Sequence, residues 1–87
     1  MKIKEGFIIR RVAESWAVIP VGKAQYDFNG MILINQTGAF LWNLLKEDTD
    51  IEQLTNALCK EYLIDKNQAK EDVKAFIESI KPSNCLE

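Results

Sequence analysis

The chain changes hydrophobic period between residues 28 and 45. Residues 31–34 form an apolar run too short for a helix and rich in side chains that suit a pleated surface, so a strand is predicted there. Immediately afterwards Phe40, Leu41, Leu44 and Leu45 recur at helical spacing, and Asn35 or Thr37 offers a side-chain oxygen to the free amides of a helix start. Upstream, β-branched and aromatic residues dominate 7–12 and 15–21, separated by Ala13 and Glu14, which predicts a hairpin. On its second strand Trp16, Val18 and Pro20 alternate with Ala17, Ile19 and Val21. Both faces are therefore apolar, as in a central or covered strand, and Pro20 marks its end.

The connection 22–30 mixes turn formers with Tyr26 and Phe28, read as aromatic anchors of the loop on the core. Three strands joined by short connections predict an antiparallel meander with the third strand at an edge. A second helix opens at Thr49-Asp50-Ile51-Glu52, read as a capping box, and carries Ile51, Leu54, Leu58 and Tyr62 on one face. Leu63-Ile64 reads as a packed turn. Asp65-Lys66-Asn67-Gln68 is a second capping box, opening a third helix with Ala69, Val73, Phe76, Ile77 and Ile80 in one stripe, which Pro82 stops. Lys70, Glu71, Lys74 and Glu78 give its opposite face mixed charge. The expected architecture is α+β: a three-stranded antiparallel sheet followed by three α-helices, in one domain spanning residues 1–87 with 82–87 as a loosely held tail.

Composition narrows the chemistry. Hydrophobic residues make up 47% and charged residues 28%, which is ordinary globular material. The apolar stretches fall well short of the ~18 residues a membrane span needs, and neither signal peptide nor anchor is read, so a cytoplasmic location is expected. There is no histidine, and the two cysteines, Cys59 and Cys85, are too few and too far apart for a zinc or iron–sulfur site. Ser15, Ser79 and Ser83 have no base beside them, and the glycines at 6, 22, 30 and 38 match no phosphate-binding spacing. No catalytic residue, metal or cofactor is expected.

The element order is the outline of a winged helix-turn-helix domain, which makes nucleic-acid binding the alternative function. Charge argues against it. Residues 1–30 carry five basic and three acidic groups, net +2, while residues 31–87 carry six basic and ten acidic groups, net −4. A recognition helix bearing Glu71, Asp72 and Glu78 would meet phosphate repulsion.

Particular residues resemble the PqqD-like family, named for pyrroloquinoline quinone synthesis protein D. The resemblance rests on Arg10-Arg11-Val12, on the segment Asn35-Gln36-Thr37-Gly38-Ala39-Phe40-Leu41-Trp42, and on the spacing from Ile51-Glu52-Gln53-Leu54 through Tyr62 and Asp65 to Asp72-Val73 and Phe76-Ile77. The N-x-T-G-x-x-x-W stretch is its most specific part. It implies a recognition element for ribosomally made, post-translationally modified peptides, a non-catalytic adaptor that binds the leader segment of a precursor. Its partners would be that leader and a modifying enzyme, such as a radical S-adenosylmethionine protein or a peptidase. By the same resemblance the leader adds as a strand beside the third strand and packs on the third helix. Met31, Ile32, Leu33 and Ile34 would then supply the pairing edge, and Lys70, Val73, Lys74 and Ile77 the helical wall. The lysines would attract acidic leader residues. A free edge also invites pairing with a second copy of the chain, a homodimer through the third strand.

Overall fold

The computed structural model describes residues 1–27 and 30–87; the anchoring roles read for Tyr26 and Phe28 fall on side chains outside the described residues. Strands β1 (Phe7–Val12), β2 (Ser15–Pro20) and β3 (Ile32–Ile34) form an antiparallel sheet in the order β1-β2-β3. A four-residue helix α1 (Ala24–Asp27) lies in the β2–β3 connection, where only a loop is expected from the sequence. The three long helices are α2 (Gln36–Leu44), α3 (Ile51–Tyr62) and α4 (Lys66–Ile80), followed by a single 3-10 turn at Lys81–Ser83.

The hairpin closes through Ala13 and Glu14, with Val12 opposite Ser15. Of these two turn residues only Ala13 has positive φ, 55°, the pattern of a type II′ turn whose twist matches the strands. In the sheet Trp16, Val18, Ile32 and Ile34 face the core, and α2 and α4 supply its other wall through Leu41, Trp42, Leu45, Val73, Phe76 and Ile80. Trp42 is almost fully buried and meets the edge of Phe7 at a ring separation of 6.5 Å.

The helix starts confirm the expected positions and correct the chemistry. Asn35, not Thr37, caps α2, accepting from the Gly38 amide at 2.8 Å. For α3 the cap is Asp50 rather than Thr49: Asp50 accepts from the Gln53 amide at 2.8 Å, while Thr49 donates its hydroxyl to Gln53 Oε1. An aspartate one position later places its short carboxylate over the same free amides and adds charge complementary to the helix dipole. Asp65 caps α4 through the Gln68 amide at 2.9 Å, but the Gln68 side chain runs forward to Asp72 instead of back to the cap.

Two further expectations are overturned. Leu63, read as part of a packed turn, is the left-handed C-cap of α3 and lies 90% exposed; Ile64 alone turns inward. The tail, read as loosely held, is docked. Ser83 and Cys85 are fully buried, Lys4 donates to the Cys85 carbonyl at 2.7 Å, Glu87 donates to the Lys2 carbonyl at 2.8 Å, and Ile3 bridges Leu86. Buried side chains and paired backbone hold a terminus that polar composition alone would release.

Candidate functional site: a sheet edge beside a helix-lined groove

The hydrogen-bond phase of the sheet follows from one contact at its end. Val21 donates to the Gly6 carbonyl at 2.7 Å, which makes Gly6/Val21 a hydrogen-bonded pair. In an antiparallel ladder such pairs alternate, and the β1–β2 register runs without a break, so Ile8/Ile19 and Arg10/Ala17 are also bonded pairs. The backbone groups of Trp16 and Val18 are therefore turned the other way, toward their partners Ile34 and Ile32 on β3. Leu33, opposite Ala17, has its N–H and C=O directed away from the sheet. Among the described residues, that leaves a free donor and a free acceptor at the β3 edge.

Beside this edge lies an open hollow of about 370 Å³ between β3, α2 and α4. Leu33, Ile34, Asn35, Thr37, Gly38 and Leu41 line it from one side, and Asp72, Ala75, Phe76 and Ser79 from α4. Gly38 sets how closely α2 approaches: a Cβ there would stand 3.0 Å from the Ile34 Cβ and 3.1 Å from Phe76 Cε1. The segment Asn35 to Trp42 thus has a physical reading. Asn35 starts the helix, Gly38 lets strand and helix close over the floor of the hollow, and Trp42 anchors the far turn in the core.

The residues singled out from the sequence are only partly brought together. Leu33 and Ile34 line the hollow, Leu33 with 59% of its surface exposed and Ile34 turned into the core. Ile32 is half-buried on the core face, and Met31 precedes the strand and is exposed. Val73 and Ile77 are buried beneath α4. Lys70 and Lys74 lie away from the edge, lining a second hollow with Ile51, Glu52, Thr55 and Lys66. The expected wall of Lys70, Val73, Lys74 and Ile77 is thereby replaced at the hollow by Asp72, Ala75, Phe76 and Ser79.

Geometry explains the displacement. At about 100° per residue, the buried stripe of α4 has two flanks, with Asp72 and Ser79 on one and Lys70 and Lys74 on the other. The sequence marks the stripe; only the packing of α3 decides which flank turns to β3. Phe76, a bulky apolar residue off the centre of the stripe, is the one sequence signal for the flank that lines this hollow.

Among the described residues, no group of three or more His, Cys, Asp or Glu side chains could hold a metal ion, and no helix is long and apolar enough to cross a membrane. Burial pushes the Cys85 thiol above its ordinary value. Cys85 lies at the docked tail, away from the hollow.

A sheet edge next to a hollow of mixed polar and apolar lining is a surface on which an extended chain can add as a strand and place alternate side chains against a helix. The family model described as coenzyme PQQ synthesis protein D matches residues 15–83. The chain belongs to the PqqD family. A similar solved structure is TbiB1 in complex with the TbiA(beta) leader peptide, which is 21% identical, superposes with a TM-score of 0.76, and matches over 100% of this chain and 95% of that one. It shares the three antiparallel strands followed by three long helices. No curated protein matches the chain.

Proposed function

We propose that this protein is a leader-peptide recognition element: it binds the leader segment of a ribosomally made precursor by strand addition at β3 and presents the precursor to a modifying enzyme. The observation that carries the reading is the outward-facing Leu33 amide and carbonyl beside the Ile34–Leu41–Phe76 hollow. Main-chain bonds at that edge supply affinity with little demand on sequence, and the hollow supplies selectivity. Membership of the PqqD family and the likeness to a protein solved with a leader peptide support it. Leu33 supplies the pairing backbone groups, with Met31 next in the same phase; Ile32 and Ile34 are held by β2 and fix the strand in place, and Asp72, Phe76 and Ser79 form the helical wall.

The chain acts as an adaptor rather than a catalyst, working in the cytoplasm with a radical S-adenosylmethionine enzyme or a peptidase. Titrating a labelled precursor leader into the protein while recording amide resonances tests the reading. Shifts should concentrate at Leu33, Gly38 and the Asp72–Ser79 face of α4; shifts confined elsewhere would sink the proposed groove. Molecular mass measured across concentration in the same samples separates leader addition from pairing of two copies through β3.

A further inference from the structure

We propose that the leader segment taken by this groove carries a lysine or arginine that pairs with Asp72, two positions along the strand from an apolar residue seated over Phe76. The inference rests on the strand-addition reading and names the chemistry it selects. Ile34, Leu41, Ala75 and Phe76 give the hollow an apolar floor, and Asn35, Thr37 and Ser79 give it uncharged polar groups. Asp72 is the one ionisable side chain among the described residues lining it. It is half-buried and accepts a surface hydrogen bond from Gln68 Nε2 at 2.9 Å on one of its oxygens, leaving the other for a ligand.

A half-buried carboxylate interacts with an incoming charge more strongly than one in bulk water, because less solvent screens it. A cation docked there gains a charge-assisted hydrogen bond, whereas an acidic residue meets uncompensated repulsion. The lysines that would have favoured an acidic leader line a different hollow, on the other flank of α4. The charge preference of the groove is therefore the reverse of that expected from the helix sequence.

Spacing follows from the two periodicities. Side chains of an added strand alternate, so those entering the groove are two residues apart, roughly 6.6 Å, with the residue between them turned to the outer face beside Leu33. Asp72 and Phe76 are one turn apart on α4, a rise of about 6 Å. One apolar and one basic side chain at positions i and i+2, in either order, can then occupy the hollow and reach Asp72 together.

The test is a display library of random twelve-residue peptides selected in parallel on the immobilised chain and on its Asp72→Lys and Asp72→Asn variants, each checked for folding by circular dichroism. The unaltered chain should enrich lysine or arginine two positions from an aliphatic or aromatic residue. Replacing that basic residue by glutamate should weaken binding about tenfold or more. Asp72→Lys should turn the preference to acidic residues; if that variant does not fold, Asp72→Asn should bind basic and neutral versions of one peptide within about twofold of each other. Selected peptides that shift the Leu33 and Gly38 amides without charge preference would overturn this inference and leave strand addition standing. Absence of any peptide that shifts those amides would overturn both.

Discussion

Leu63 shows how a single residue can be placed against its own preference. It closes α3 with φ 54° and ψ 41°, donating its amide to the Cys59 carbonyl at 2.9 Å, while its side chain is 90% exposed. Left-handed backbone crowds a Cβ against the following carbonyl, at a cost of about 1–2 kcal/mol, and here no burial offsets it. Glycine removes that strain but makes the unfolded chain more flexible, which cancels part of the gain. Leu63→Gly should therefore stabilise the protein by about 0.5–1 kcal/mol, read as a higher urea midpoint with an unchanged slope. A lower midpoint would mean that the exposed leucine contributes contacts the folded chain does not show. From the sequence alone, the pair Leu63-Ile64 looks like uniform packing material, because hydropathy is blind to φ. The same blindness hides the role of Gly38, whose value lies in the 3.0 Å that a methyl group would leave to Ile34.

Among the strands, β3 is the shortest and the one on which the proposed function turns. Proline at position 33 removes an N–H that serves no bond within the sheet, since the Leu33 backbone faces away from β2. Ile32, the residue before it, is already extended, as a residue preceding proline must be. Leu33→Pro should thus keep the fold while lowering leader affinity about tenfold or more, measured by titration calorimetry on a variant with an unaltered thermal transition. Undiminished affinity would remove Leu33 as a pairing residue. The strands and the three long helices were legible because period two and period 3.6 are written into the apolar positions, and Asn35, Asp50 and Asp65 stand where free amides need an acceptor. The groove wall was not legible. A helical stripe has two equivalent flanks in one dimension, and the choice between Asp72 with Ser79 and Lys70 with Lys74 is made by the side on which α3 packs.

Across the whole molecule, the two termini close the structure together. Residues 2–4 run beside residues 85–87, and Cys85 sits fully buried where the tail meets Ile80, its thiol 3.6 Å from the Ile80 carbonyl. Burial raises the thiol's pKa in the folded chain, so folding favours the protonated form. This contribution is fully present below the ordinary thiol value of about 8.5 and is lost as pH rises through the raised folded value. Stability should accordingly fall on the alkaline side, and Cys85→Ala should flatten that limb. A thiol reagent added at neutral pH should modify the half-buried Cys59 first and reach Cys85 only as the tail opens. Equal labelling rates at the two positions would show that the tail is not docked.

The sequence by itself determined the element types, their order, the caps and the core stripes, because these depend on neighbours within a few residues and on periodicity. It also carried the family resemblance, in the run from Asn35 to Trp42. Only the tertiary structure decided that the Leu33 backbone faces outward, that Asp72 rather than Lys70 or Lys74 lines the hollow, and that the tail is held. Hydrogen-bond phase, helix rotation and terminal docking each depend on residues far apart in the chain. They acquire values only when the sheet and helices share one core.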